Sequence, residues 1–336
     1  MSDTLPEAHE VLMAYNRDGA AEKKEFGNDV IKGLNRSPKK LSSKYFYDGT
    51  GSRLFRQIMD LPEYYLTRTE TEIFKTQCHE IISSFQPHQS KFNLIDLGAG
   101  DAAKTRILLR ELLQQNHLFN YVPVDISEDA LDHLQAELVS EMPAIRVHTL
   151  ASEYFAALDW LTKHETTRKV VLFLGSNIGN FEPKAIRVFA QKLRRYLGPR
   201  DKVLMGFDLQ KDPHIIRQAY DDAAGITAAF NFNLLHRINA EFNGDFNSNY
   251  FKHFAEYNPV TGDMKSYLCS TVAQKVYLAD LNQEFSFHAW EPIHTETSHK
   301  FTLSEIEHLG HKAGFKINRV FTDAKHYFAD VLFDVV

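Results

Sequence analysis

From Phe92 onward, short apolar runs alternate with stretches whose apolar residues recur every three or four positions. That alternation is the signature of a parallel sheet covered by helices. The runs predict strands near residues 92 to 97, 120 to 125, 145 to 150, 169 to 174 and 202 to 208. Between them, Ile107, Leu108, Leu109, Leu112 and Leu113 fall on a helical repeat over 105–115, as do Leu131, Leu134 and Leu138 over 128–139. Ser127 is the expected N-cap of the second of these helices. Residues 210 to 300 break the rhythm. They are rich in Phe, Asn and Tyr, and the alternation over 265–276 predicts antiparallel strands in an inserted second lobe. Helix and strand resume with 302–313, closed by Gly314 in a C-cap position, and the runs 316–322 and 326–335 predict an antiparallel hairpin at the sheet edge. The first 40 or so residues are polar with little periodicity and are expected to form an arm or short helices.

Composition sets the frame. With 336 residues, 43% of them hydrophobic and 24% charged, the chain can bury a large core, and no internal repeat or low-complexity segment interrupts it. Its 38 Lys and Arg against 44 Asp and Glu give a formal charge of −6, which argues against general binding to a nucleic-acid backbone. Two cysteines, Cys78 and Cys269, are too few for a disulfide framework and lack metal-ligand spacing. His308 and His311 share a helical face without a third ligand, so no metal is expected. No span-length apolar run appears, and a cytoplasmic monomer without membrane insertion is the expectation.

The chemistry concentrates at the ends of the expected strands. The run 93–97 stops at Gly98-Ala99-Gly100, and Gly98-x-Gly100-x-x-Ala103 satisfies a dinucleotide fingerprint. By itself it serves a nicotinamide cofactor, S-adenosylmethionine or a tight strand-to-helix turn equally. Asp125 ends the second strand, placed either to accept from a ribose diol or to cap the following helix. Lys104 opens a helix, where a cation opposes the local dipole unless an anion lies nearby; a cofactor carboxylate would supply one, and a solvated lysine is the alternative. The fourth strand ends in Gly175-Ser176-Asn177-Ile178-Gly179-Asn180-Phe181. Asn180 followed by an aromatic suits an enzyme that methylates an amino nitrogen, because a side-chain carbonyl there can orient the lone pair; a Gly/Asn turn would read the same.

Six ordered blocks then carry a resemblance. They are Tyr45-Phe46-Tyr47-Asp48 with Gly51-Ser52, Leu61 to Glu70, the Gly98 loop, the Asn180 loop, Tyr220 to Gly225, and Thr295 to Phe301. From about residue 40 to the end, the chain resembles the histidine N-alpha-methyltransferases of ergothioneine biosynthesis. The terminal hairpin agrees, being an ending that many methyltransferases share and ordinary dinucleotide dehydrogenases lack. The resemblance implies an α/β, Rossmann-like methyltransferase sheet over 69–209 and 301–336, plus a smaller α+β substrate lobe over 1–68 and 210–300. It implies that L-histidine, held between them, is methylated three times on its α-nitrogen to give hercynine. By the same carry-over Gly98, Gly100, Lys104, Asp125, Glu153 and Tyr154 contact S-adenosylmethionine. Asn180 and Tyr220 hold the carboxylate and amine, Tyr47 lies near the nitrogen, Gly175 lines the pocket, and Glu296, Ser298 and Tyr64 read the imidazole.

Glu296 and Ser298 are two residues apart, so on a strand they share a face and can address both ring nitrogens; without the resemblance an exposed strand face is the plainer reading. Asp221 and Asp222 read as helix-start or solvent-facing acids rather than an acid/base pair. Asn177 stands where some relatives carry Thr, and Ser266 where an apolar methionine is expected, which bears on pocket shape. A methyltransferase for another amino acid or small amine, a nicotinamide-dependent oxidoreductase and a non-catalytic cofactor-binding protein are the competing readings.

Overall fold

The computed structural model describes residues 19–86 and 91–336. The first half of the expected N-terminal arm, residues 1–18, lies outside the described residues; Gly19–Asn35 is a continuous helix. The chain divides into two compact units, one of Leu66–Leu209 with Phe301–Val336, the other of residues 19–65 with Gln210–Lys300.

The first unit is built on a seven-stranded sheet. Its spatial order is Phe315–Thr322, Phe328–Val335, Lys202–Asp208, Arg168–Phe173, Phe92–Leu97, Phe119–Asp125 and Leu150–Ala151. Strands from Lys202–Asp208 to Leu150–Ala151 pair in parallel, while Phe328–Val335 runs antiparallel to both of its neighbours. The central strands are buried along their whole length, which explains why they read as unbroken apolar runs: helices cover both faces. On one face Ile95, Val122, Val171 and Val203 pack with Leu158, Phe189 and Ile306 of three helices; on the other Leu94, Tyr121, Leu172 and Leu204 pack with Phe74, Leu108 and Leu134 of three more. Strand order reverses between Phe92–Leu97 and Arg168–Phe173, the place where open sheets of this kind present loops to a ligand.

One expected strand is nearly absent. Over 145–150 the chain makes only an isolated bridge from Val147 to Tyr121, and regular pairing is confined to Leu150–Ala151 against Val124–Asp125. Arg146 O accepts from Tyr121 N at 2.8 Å and His148 N donates to Tyr121 O at 2.9 Å, the two bonds of that single parallel bridge, and pairing resumes only at Leu150. The final helix, Leu303–Ala313, is closed by a Thr302/Glu305 capping box and by Gly314 at φ +84°.

In the second unit, Lys39–Lys40 pairs in parallel with Pro292–His299, which pairs antiparallel with Asp263–Ser270, and Asp263–Ser270 in turn pairs antiparallel with Phe251–Asn258. Gln274–Leu278 and Gln283–Phe287 form a separate hairpin. The alternation over 265–276 therefore covers two strands that do not pair with each other. They are separated at Ser270, whose hydroxyl accepts from Gln274 Nε2 at 2.6 Å and donates to Val272 O at 2.8 Å. Helix Ile226–Phe242 is held at its start by Asp222, which accepts from the backbone of Ile226 at 2.9 Å and Thr227 at 2.7 Å. Asp222 is thus a helix-start acid, and those bonds hold its carboxyl below the usual range against the opposing effect of burial.

Candidate active site

In the first unit, four of the parallel strands present their carboxyl ends side by side, and the backbone there is shaped by glycine. Gly98 and Gly100 adopt φ of +78° and +54°. A Cβ on Gly98 would sit 2.9 Å from the Tyr154 hydroxyl, and the positive φ adds strain for any side chain there. Gly98 N donates to Val124 O at 2.8 Å, tying the turn to the neighbouring strand. That strand ends in Asp125, whose carboxylate accepts from Ser127 N at 3.2 Å and faces Gly100 N at 3.4 Å. The N-cap of the following helix is Ser127, whose Oγ accepts from Ala130 N at 3.3 Å, so the half-buried Asp125 is not the cap. Glu153 immediately precedes the helix Tyr154–His164, and burial, with Asp125 and Asp96 adding to it, pushes the Tyr154 hydroxyl up to about 12.

Beneath the turn lies Asp96, a buried acid that accepts from Thr105 Oγ1 at 2.7 Å and Tyr121 Oη at 2.9 Å. Burial raises it to about 6, opposed by those two bonds. It fixes the first residue of helix Thr105–Gln114 to the sheet. Lys104, one residue earlier, is ion-paired with Glu70. The anion that the start of this helix called for is therefore present in the chain itself, 34 residues upstream. Glu70 is fully buried and also accepts from Gly175 N at 2.7 Å, so one carboxylate joins Lys104 to the end of the fourth strand. Gly175 (φ +72°) and Ser176 (φ +55°) turn the chain, Ser176 Oγ accepts from Asp208 N at 2.8 Å, and the short helix Asn177–Asn180 follows. Asn180 is exposed, and Phe181 anchors the turn by stacking on Phe189 at 5.2 Å.

The second unit gathers the other expected residues. Tyr220 Oη donates to Ser298 Oγ at 2.8 Å, and Lys300 Nζ donates to both, at 2.8 and 2.9 Å. Lys300 is completely buried. Two residues before Ser298 on the same strand face, Glu296 has a carboxyl that burial pushes up to about 7, opposed by the Lys300 charge and the Ser266 hydroxyl. Ser266 is its cross-strand partner. Thr295, the extra residue where the register shifts between His294 and Glu296, donates to Asn231 Oδ1 at 2.6 Å. Tyr47 is half exposed and meets Phe55 and Phe230 edge-on at 5.5 and 5.7 Å; Tyr64 is buried and meets Phe55 at 6.2 Å.

Glu70 and Lys300 are site residues that the sequence reading passed over. Both carried a signal: Glu70 falls on the apolar stripe of its helix with Ile73 and Phe74, and Lys300 continues the every-second-residue face of Glu296 and Ser298. Among the described residues no group of three or more His, Cys, Asp or Glu is arranged to hold a metal ion, and no helix is long and apolar enough to cross a membrane.

A family model for histidine-specific, S-adenosylmethionine-dependent methyltransferases matches residues 26–335. The chain belongs to this family. It is 38% identical over 306 residues to the histidine N-alpha-methyltransferase of Mycolicibacterium smegmatis, covering 91% of this chain and 93% of that one. It is 35% identical to the histidine N-alpha-methyltransferase of Mycobacterium tuberculosis, covering 88% and 90%. An N-methyltransferase of Aspergillus flavus is 30% identical, with 88% of this chain and 81% of that one covered. The cofactor of this methyltransferase family is S-adenosylmethionine, and the first unit fits it. A turn of two glycines at positive φ lies beside a half-buried carboxylate that is not consumed as a helix cap.

Proposed function

We propose that this methyltransferase passes three methyl groups in turn to the α-amino nitrogen of L-histidine, giving hercynine, the trimethylated amino acid from which ergothioneine is made. The observation that carries the reading is the buried polar cluster of Ser298, Lys300 and Tyr220 with the half-buried Glu296 two residues along the strand, which an ordinary strand face would not bury. Family membership and the two histidine N-alpha-methyltransferases support it. So does a 35% identity over 204 residues to the ergothioneine biosynthesis protein 1 of Neurospora crassa, which covers 60% of this chain and 23% of that one.

Bound S-adenosylmethionine supplies a methyl group on a positively charged sulfur. The chain's own contribution is alignment and exclusion of water, because an unprotonated amine needs no strong base for in-line displacement. Asp125 would receive the ribose hydroxyls, Gly98 and Gly100 would admit the cofactor against the backbone, and Glu153 and Tyr154 would contact it as well. Lys104, already neutralised in part by Glu70, offers remaining N–H donors to the cofactor carboxylate. Asn180 and Tyr47 orient the amine, Tyr220 holds the amino-acid end, and Gly175 leaves space beside them. Glu296 and Ser298 bond the imidazole, with Tyr64 beside it. A carboxylate that accepts a ring N–H rejects isosteres lacking that donor, since its buried charge would be left unpaired. The reaction ends when the quaternary nitrogen has no lone pair.

A time course with histidine and S-adenosylmethionine, followed by mass spectrometry, tests this: mono-, di- and trimethylhistidine are expected in succession, with the trimethyl form accumulating. Accumulation of the monomethyl form alone would overturn the threefold transfer. An enzyme of this kind is expected to work as a cytoplasmic monomer.

A further inference from the structure

The Lys104–Glu70 pair of the first unit is open on one side only. The Glu70 side chain is 0% exposed, whereas that of Lys104 keeps 23% of its surface open, so of the two only the lysine can meet a ligand. Any effect of Glu70 on a ligand runs through Lys104. The ammonium lies just beyond the carboxyl end of strand Arg168–Phe173, where a Cβ on Gly175 would come within 3.6 Å of Lys104 Nζ. Burial alone would lower this ammonium, and its ion pair with Glu70 is the chief influence that raises it instead. A lysine at the start of a helix also faces the unfavourable end of the dipole. Both the charge and the place of Lys104 depend on Glu70.

The seat of Glu70 is shaped for a carboxylate. From helix Leu66–Ser84 it accepts from Gly175 N at 2.7 Å through one oxygen and from Lys104 through the other. Strand Lys202–Asp208 carries a glycine against it: a Cβ on Gly206 would sit 2.6 Å from Glu70 Oε1 and 3.0 Å from the Phe328 ring. A glycine inside a buried strand marks a close approach, and here the approaching group is the carboxylate. Two further acids face the ammonium, and neither takes the place of Glu70. Asp96 is bonded to Thr105 and Tyr121, while Asp330, paired opposite Gly206 on the neighbouring strand, is held well above the usual carboxylate range by burial and by Glu70 itself. We propose that Glu70 is a positioning residue for cofactor recognition: seated by Gly175 and Gly206, it holds the Lys104 ammonium where it meets the carboxylate of S-adenosylmethionine. This rests on the reading of Lys104 as the residue that receives that carboxylate.

Calorimetry with S-adenosylmethionine and with its decarboxylated form, which keeps the adenosine and the sulfonium, separates the roles. The unaltered protein should prefer the carboxylated ligand by roughly tenfold or more, the worth of a charge-assisted hydrogen bond. Lys104→Met should abolish that preference. Glu70→Gln keeps the shape without the charge, and should remove most of the preference while binding of the decarboxylated form stays within about twofold. An unchanged or larger preference in Glu70→Gln, once Lys104→Met has lost it, would overturn the inference and leave the Lys104 reading standing. Equal weakening of both ligands, the mark of a merely structural role, would overturn it in the same way. A preference that survives Lys104→Met removes the Lys104 reading and this inference with it. If the buried substitution prevents folding, Gly206→Ala decides. It keeps both charges and displaces the carboxylate, so the preference should fall about threefold, and an unchanged preference would overturn the inference.

Discussion

The two units arrange polar groups by opposite means. In the first, the candidate cofactor residues sit at the ends of buried parallel strands, where glycines at positive φ shape the backbone and a single carboxylate, Asp125, emerges from it. In the second, the candidate substrate residues project from the face of an antiparallel strand, and side chains do the shaping: Lys300, Tyr220 and Ser298 hold one another, with Glu296 beside them. A backbone cradle suits a cofactor shared by many enzymes, because it reads little beyond shape and a diol. A side-chain network suits a substrate that must be told from other amino acids, because a buried donor or acceptor left unpaired costs about 1–3 kcal/mol.

If that division is real, substitutions in the two units should affect different kinetic constants. The largest effect is expected for Glu296→Ala, with the histidine KM rising about a hundredfold and the S-adenosylmethionine KM within about twofold of the starting value. A shift shared equally between the two constants would break the comparison. Asp125→Ala should do the reverse, weakening S-adenosylmethionine by about tenfold in calorimetry while leaving histidine nearly untouched.

The pH dependence sharpens the same contrast. Glu296 is raised from its usual value to about 7 by burial, so the folded chain keeps a proton that the unfolded chain has already released. Its cost to folding stability is absent below about pH 4.5, grows as pH rises, and is complete above about 7. The carboxylate that accepts the ring N–H is correspondingly lost as pH falls through about 7. Glu296→Gln should flatten the stability profile in that window, and thermal melts across it would show whether it does. The smallest effect is expected for Thr302→Ala, which removes a capping box: about 1 kcal/mol of stability is lost and neither KM changes.

Legibility in the sequence follows the same divide. The glycine turn, the buried strands 92–97, 168–173 and 202–208, the Ser127 cap and the closing hairpin announce themselves locally, through apolar runs and turn residues a few positions apart. The short fourth segment does not, because Ile145, Val147 and Leu150 read as a strand while Ile145 N bonds back to Met142 O and only Val147 bridges the sheet before Leu150. Lys104 shows only that an anion is needed; that Glu70 provides one depends on packing a helix over the sheet, which no local pattern encodes. Lys300 is harder still. A lysine in sequence is read as solvated, and only the convergence of Tyr220, from 80 residues upstream, with Ser298 gives its ammonium buried partners.

The central claim is that this chain methylates the α-nitrogen of histidine and selects it by its ring. The most direct test is incubation with labelled S-adenosylmethionine and an equimolar mixture of the twenty amino acids, with the products separated and identified. The label should appear in methylated histidines alone. Label in another amino acid, with histidine left unmodified, would contradict the account.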